Sequence, residues 1–402
     1  MWRTYETPRQ GWFAVPFSSF SCYACARMDT GEFSAWHFAT RQPVRVRWVD
    51  GLITEVAPAP IPPPPDLWIA PALCDLQVNG YTGVDFQQDN LTADDLLRAA
   101  RGLRAAGCAR FLLTLITDEW PRLVTRLRHL RSLRACSAEL QSAILGWHIE
   151  GPFLSREPGF CGAHDPALML DPKPEHIREL RTLTGDDPLL LTLAPERPGA
   201  LAAIGLAESL GLRVSLGHTD ASAEVLAQAV RAGATMFTHL GNACPRELDR
   251  HDNILWRMFE TPGLTVSVIP DRIHVSPALF RLQHRVLGHA VFHVSDAMAA
   301  AGAPPGRYTI GKLIVEVGPD QIVRRPGGTN FAGSALRPVD GVFRAADMLN
   351  CPWQDTWARF SEVPAKLMGR RNEIAVGQPA SFCRLQLGRD GRLVGLQTSW
   401  CE

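Results

Sequence analysis

Residues 110–152, RFLLTLITDEWPRLVTRLRHLRSLRACSAELQSAILGWHIEGP, hold an apolar run, a helical stretch and a second apolar run. The runs, 110–116 and 143–149, have the length of buried strands. Between them Leu123, Val124, Leu127 and Leu130 recur at the spacing of one helix face. Strand, helix and strand in that order form a parallel βαβ unit. The rhythm extends both ways along the chain. On the N-terminal side, the run 69–76 precedes Leu96, Leu97, Ala100 and Leu103, which follow Thr92. On the C-terminal side come runs at 189–193, 212–216, 234–237, 264–269 and 290–294, with Val225, Leu226 and Ala229 placed helically after a turn at Asp220. Eight such runs over roughly 230 residues match an α/β chain folded as a (β/α)8 TIM barrel. An open doubly wound sheet is the competing architecture. It fits less well, because no G-x-G-x-x-G follows the first run.

Both flanks of this pattern are β-rich. Residues 44–57 alternate around Asp50-Gly51, a hairpin signal. The stretch 58–65 contains six prolines and predicts a stiff linker at a domain boundary. After the eighth run, 307–317 alternates and Arg325-Pro326-Gly327-Gly328 reads as a turn. Helical segments follow near 338–350 and 356–368, and 380–398 forms a second hairpin with Gly388-Arg389-Asp390-Gly391 at its tip. The expected organisation is a barrel over 67–369 and a small β-sandwich domain formed from both chain termini, 28–66 plus 370–402. Residues 1–27 are expected to be a poorly structured extension, with Met28 an alternative start. A signal peptide is rejected there because Pro16, Ser18 and Ser19 break the only semi-apolar run.

Composition narrows the function. Lys+Arg and Asp+Glu both total 41 in 402 residues, so no global charge favours nucleic acid or an anionic membrane. No uninterrupted apolar stretch reaches the ~18 residues of a membrane helix. Ten scattered cysteines in a chain this long argue against a disulfide scaffold and for a reducing cytoplasm. Cys22-x-x-Cys25 stands alone, without a second pair to complete a zinc site.

The chemistry lies where the strands end, since barrel active sites form at the C-terminal rim. The first run ends in Asp75-Leu76-Gln77-Val78-Asn79-Gly80 and the third in His148-Ile149-Glu150-Gly151-Pro152. The fifth ends in Gly217-His218-Thr219-Asp220, the sixth in Thr238-His239-Leu240-Gly241-Asn242 and the eighth in Val294-Ser295-Asp296-Ala297. Two imidazoles and one carboxylate make a catalytic metal site with a position left for water. Glu150, His218 and His239 fit the ligands, and Asp296 fits the carboxylate that moves protons between water and leaving group. Singly, each has a bland role: a structural histidine, a helix-terminal acid, an N-cap. Together on one rim they point to metal-assisted hydrolysis, most naturally of an amide. His148 shares a strand face with Glu150 and is read as support for the ligands.

These segments, with Tyr81-Thr82-Gly83-Val84-Asp85-Phe86 and Gly162-Ala163-His164, resemble the N-acetylglucosamine-6-phosphate deacetylase family of the amidohydrolase superfamily. The resemblance runs in order from about residue 44 to the end. It implies a hydrolase that removes an N-acetyl group from an amino sugar phosphate and releases acetate. It further implies Glu150, His218 and His239 as ligands of one divalent ion, with Zn²⁺ first and Fe²⁺ or Mn²⁺ as alternatives. Asp296 becomes the general base and acid, and His164 the histidine beside the carbonyl. Ala163, Asn242, Ala243, His274, Phe331, Ala332 and Gly333 are implied substrate contacts, His274 at the phosphate. Many amidohydrolases bind a second metal through His-x-His on the first strand. Here that motif is Gln77-x-Asn79, so one metal is expected, with Gln77 hydrogen-bonding near the site.

Two stretches depart from the family pattern. The arginine expected for the phosphate falls in Pro245-Arg246-Glu247-Leu248-Asp249-Arg250, where Arg250 is taken and Arg246 is the other option. The usual Asp-Gly-x-His is Asp271-Arg272-Ile273-His274, and Arg272 either meets the phosphate or faces solvent. An unphosphorylated amino sugar or an N-acyl amino acid is therefore the alternative substrate. A catalytically dead barrel is the alternative class, opposed by the survival of all four central residues. The implied partners are a small-molecule substrate and a second copy of the chain, as a homodimer.

Overall fold

The structure, a computed structural model, describes residues 30–328 and 331–400. Expectations for residues 1–27, including Cys22 and Cys25, lie outside the described residues. The chain opens with β1 (Thr30–His37), β2 (Pro43–Val49) and β3 (Leu52–Pro58), an antiparallel meander. Asp50 and Gly51 join β2 to β3 at φ of 48° and 74°, the left-handed pair that a two-residue hairpin demands. β4 (Leu67–Pro71) pairs in parallel with β1, and the tail hairpin will pair on its other side.

The barrel begins with β5 (Leu73–Val78), followed by the short pair β6 (Gly80–Tyr81) and β7 (Val84–Asp85). Then come β8 (Cys108–Ile116), β9 (Ile144–Glu150), β10 (Leu189–Leu193), β11 (Arg213–Leu216), β12 (Met236–Phe237), β13 (Thr265–Val268) and β14 (Val291–His293). They lie in sequence order from β5 to β14, with β6 and β7 outside the sheet, and every pairing is parallel. The ring closes where Asn79 donates its N–H to Ala297 at 2.7 Å and Ser295 donates to the Asp75 carboxylate at 3.1 Å. Helices cover the outside. The first, Ala93–Ala105, starts on Thr92, whose hydroxyl accepts from Asp95 N–H while Asp95 reaches back to the Thr92 N–H. Such a cap contributes ~1 kcal/mol.

Inside, alternate strand residues stack in layers. Leu112, Leu190 and Met236 belong to an apolar floor. Two residues further along their strands lie Thr114 and Thr192. With His148, Ser215 and Thr238 they form a hydroxyl–imidazole network, with His148 Nε2 2.8 Å from Thr192 Oγ1 and Thr238 2.6 Å from Ser215. One more step along β9 from His148 is Glu150. The hydroxyls that His148 meets, those of Thr114 and Thr192, lie one layer below Glu150.

After the barrel come β15 (Gly306–Ile310), β16 (Leu313–Val317) and β17 (Val323–Arg324), a small antiparallel sheet. Ile310 and Leu313 of this sheet lie over the rim. The tail hairpin is β18 (Phe382–Leu387) and β19 (Leu393–Ser399). The terminal sheet runs β19-β18-β4-β1-β2-β3. It curls back on itself, because Ile53 of β3 donates to Gln378 at 2.8 Å and Gly51 accepts from Ala380 at 2.8 Å. The resulting small β-sandwich closes over Ala35, Val46, Trp48, Ile69 and Phe382.

The expected boundary at residue 67 is corrected here. β4 belongs to the terminal sheet, so the proline stretch 58–65 links two strands of one unit. The barrel starts at Leu73. The run 69–76 is buried on both sides of the junction, so no change of hydrophobicity marks where it passes between sheets. Pro71, which has no N–H to donate, ends the β4 ladder.

Candidate active site

Glu150 is the last residue of β9, while His218, His239 and Asp296 follow β11, β12 and β14 by two or three residues. Those three share an unusual backbone, with φ of 51°, 34° and 50°. Left-handed conformations cost a non-glycine residue about 1–3 kcal/mol and survive where the surroundings impose them. Here they turn the chain sharply off each strand and leave the three side chains at the barrel mouth.

One oxygen of Glu150 organises the centre. It lies 2.9 Å from His239 Nε2, 3.4 Å from His218 Nε2 and 2.9 Å from the Gln77 amide nitrogen. Burial alone would raise the Glu150 carboxyl, but hydrogen bonds and charge from His218 and His239 outweigh it and hold it well below the usual range. His218 Nδ1 is 2.9 Å from the Phe160 carbonyl, which can only accept, so Nδ1 carries hydrogen. With hydrogen on Nδ1, His218 as a metal ligand would present a bare Nε2 to the Glu150 oxygen. Two lone-pair donors so close are reconciled by a cation between them, and the donor set of one carboxylate and two imidazoles suits a divalent ion. His239 Nδ1 is buried and has no hydrogen-bond partner among the described residues.

His164 offers a nitrogen to the same space. Its ligand atoms lie with those of Glu150 and His218 inside 4.8 Å, a second conceivable trio. Its tautomer separates it from the ligands. The Thr117 backbone N–H points at His164 Nδ1 (3.4 Å) and the Thr117 hydroxyl lies 2.8 Å away, so Nδ1 accepts and Nε2 bears the hydrogen. His164 is thus a donor toward the cavity. Burial first, and the neighbouring His218 second, push its pKa down to about 3, so the ring is neutral at pH 7.

Asp296 is held by the Asn79 amide, which donates to Oδ1 at 2.7 Å. Burial, then the negative charge of Glu150, push the Asp296 carboxyl up to about 7. A carboxyl near neutrality is suited to moving protons both ways. At the far side His274 Nδ1 lies 2.6 Å from Asp271. Burial would lower His274, but the Asp271 charge and hydrogen bond prevail and raise it.

These groups face a cavity of about 650 Å³. Ala163, Asn242, Ala243, His274, Phe331 and Gly333 all line it. Gly162, at φ 59°, is pressed so close to His218 that an added Cβ would lie 3.0 Å from the imidazole. Three expected contacts are placed differently. Gln77 is turned onto Glu150 and does not line the cavity. Ala332 is buried, its N–H given to Val323 at 3.2 Å. Arg250 is exposed and bonded to His251; Arg246 is the arginine that lines the cavity. The cause is a tight turn in which Asp249 accepts from the N–H groups of His251 and Asp252, rotating this segment away. Arg272 pairs with Asp347 on the surface, 3.2 Å apart.

Asn79, Thr117 and the Phe160 carbonyl escaped assignment from sequence. For Asn79 a signal existed: Gln77 and Asn79 lie two apart on a strand, so both amides share the face that meets the carboxylates.

A parallel eight-stranded barrel with two imidazoles and two carboxylates at its carboxyl rim defines a metal-dependent hydrolase of the amidohydrolase superfamily. The chain is 33% identical over 331 residues to N-acetylglucosamine-6-phosphate deacetylase of Danio rerio, covering 78% of this chain and 79% of the relative. The chain belongs to the N-acetylglucosamine-6-phosphate deacetylase family. The Vibrio furnissii enzyme of that name is 30% identical over 317 residues, 78% of each chain. Among solved structures, a mutant N-acetyl-D-glucosamine-6-phosphate deacetylase from Mycobacterium smegmatis, in complex with N-acetyl-D-glucosamine-6-phosphate, matches with a TM-score of 0.81. That match has 28% identity and covers 93% of this chain and 99% of the other. No family model matches the chain. Among the described residues, no helix is long and apolar enough to cross a membrane.

Proposed function

We propose that this protein hydrolyses N-acetylglucosamine 6-phosphate to glucosamine 6-phosphate and acetate. The observation that carries the proposal is Glu150 within hydrogen-bond reach of both His218 and His239, with Asp296 fixed beside them by Asn79. Glu150, His218 and His239 would hold one divalent ion, Zn²⁺ before Fe²⁺ or Mn²⁺. Such an ion, when bound, brings the pKa of its water toward ~7 and polarises a carbonyl. A single ion is favoured because Gln77 and Asn79 spend their amide N–H groups on Glu150 and Asp296.

The side chains then have distinct tasks. His164 Nε2–H donates to the acetyl oxygen, where negative charge develops as water attacks. Asp296 accepts a proton from the attacking water. It returns that proton to the sugar nitrogen as the C–N bond breaks, so the neutral amine leaves and the acetyl group departs as acetic acid, carrying the water oxygen and its second proton, which it loses to solvent as acetate. His274, whose protonated form Asp271 favours, and Arg246 receive the phosphate. Asn242, Ala243, Ala163, Phe331 and Gly333 shape the sugar site. Family membership also supports a homodimer, and the seven described cysteines, all free thiols, support a cytoplasmic setting.

The test compares kcat/KM for N-acetylglucosamine with and without the 6-phosphate, alongside metal analysis and Asp296→Asn. The phosphorylated sugar should be preferred, and the variant should keep its ion but lose at least a thousandfold in kcat, roughly the scale for a group that moves the proton. Preference for the free sugar, for an N-acyl amino acid, or an unaffected Asp296→Asn would overturn the proposal.

A further inference from the structure

A second cavity of about 420 Å³ adjoins the catalytic one and shares Ile116, Ala163, His164, Ile310 and Leu313 with its wall. Its basic residues are Arg122, Arg126, Lys312 and Arg325, and its acidic residues are Asp118 and Asp165. The charges do not cancel in place. Arg122 and Arg126 are engaged by Asp89 and Asp118, at 2.8 and 2.9 Å. Asp165 caps a short helical turn by accepting from the Ala167 N–H at 3.0 Å. Lys312 and Arg325 make no ion pair and no side-chain hydrogen bond among the described residues.

Lys312 is also held in place by its backbone. It occupies the tip between β15 and β16, next to Gly311 at φ 61°. The buried Asp85 carboxylate pins that tip, accepting from Gly311 N–H at 2.9 Å and from the Thr309 hydroxyl at 3.0 Å. In a chain whose Lys and Arg residues total 41, only Lys173, Lys312 and Lys366 are lysines.

The location gives these charges a meaning, and this step rests on the proposed deacetylation. The acetamide of the substrate sits on C2 and must lie at Glu150, His218 and His164. The 6-phosphate hangs from C5, across the ring, toward His274 and Arg246. C1 and C3 flank C2, so a substituent on O1 or O3 projects sideways at the level of the acetamide. The second cavity shares Ala163 and His164 with the catalytic one, whereas His274 and Arg246 line the catalytic cavity alone.

We propose that this second cavity is a subsite for an acidic substituent of the sugar, a carboxylate or phosphate on O1 or O3, received by Lys312 and Arg325. The substrates of this enzyme then include N-acetylamino sugar 6-phosphates that carry a second acid group beside the acetamide.

Three sugars separate the possibilities: N-acetylglucosamine 6-phosphate, its 1,6-bisphosphate, and its 3-O-lactyl ether. Deacetylation is followed with the wild type, with Lys312→Ala/Arg325→Ala and with the charge-conserving Lys312→Arg. At least one doubly acidic sugar should be turned over with kcat/KM no lower than that of the parent. The double alanine variant should lose about tenfold on that sugar, the sum expected of two solvent-accessible ion pairs, and change less than twofold on the parent. Lys312→Arg should recover most of the loss. Which sugar responds tells O1 from O3. If the parent is turned over but both doubly acidic sugars are refused, or if the variants lose equally on all three, the subsite is refuted alone. If the parent itself is not turned over, the deacetylase proposal fails and the subsite falls with it.

Discussion

Asn79 shows how much a single amide can decide. Its Nδ2 donates to Asp296 at 2.7 Å, while its Oδ1 is buried and unpartnered among the described residues. Asp296 has a left-handed backbone and few other restraints, so this bond sets the direction of its carboxylate. Asn79→Ala should lower kcat by about 10–100-fold, the usual effect of removing a supporting hydrogen bond at such a site. The KM and the metal content should hardly move, because Glu150, His218 and His239 stay in place. Loss of the ion together with activity would show that Asn79 serves the ligands and not the base. Gln77 plays the parallel part for Glu150, donating to it at 2.9 Å.

At the scale of elements, the helix Pro277–Leu287 packs on β14 through two histidines. His284 Nδ1 is 2.8 Å from the Phe280 carbonyl, so it donates, and its Nε2 must accept from His293 Nε2 at 3.0 Å. A proton on His284 Nε2 would break the pair, and one on His293 Nδ1 would be buried without a partner among the described residues. Burial drives His284 down to about 4 and His293 well below its ordinary 6.5. With folded values depressed, the unfolded chain binds more protons, so this pair contributes stability fully above about pH 6.5 and loses it as pH falls toward 4. Denaturant midpoints should thus fall as the buffer is taken from pH 7 to pH 4.5. His293→Leu, which fills the same space without a titrating group, should flatten that slope. An unchanged slope would place the acid sensitivity elsewhere.

The molecule as a whole is organised around a buried carboxylate that needs a counter-charge. Folding brings Glu150 to 3% exposure beside two imidazoles from strands 68 and 89 residues away in sequence. An ion held there binds only the folded chain and adds RT ln(1 + [L]/Kd), about 4 kcal/mol at a thousandfold excess over Kd. Calorimetry with a chelator should therefore lower Tm by several degrees and restore it when Zn²⁺ is returned. Glu150→Gln should make Tm indifferent to both treatments. A wild-type Tm that ignores the chelator would mean that the trio holds no ion.

Much of this was legible along the chain because its signals are local. A strand buried on both faces must be an apolar run, and a covering helix must repeat with its own period, so the eight βα units and both hairpins could be read in order. The rim residues were legible for the same reason, since Glu150, His218, His239 and Asp296 each stand directly after such a run. What tertiary structure alone decided are the matters that depend on distant partners. The passage of 69–76 from the terminal sheet into the barrel, the turning of Gln77 onto Glu150 and the ring nitrogens that carry hydrogen in His164 and His218 all arise from partners far away in the sequence. Periodicity records which side of an element is dry. It carries no information about which polar group from another strand will meet it there, and that meeting separates a ligand from a donor.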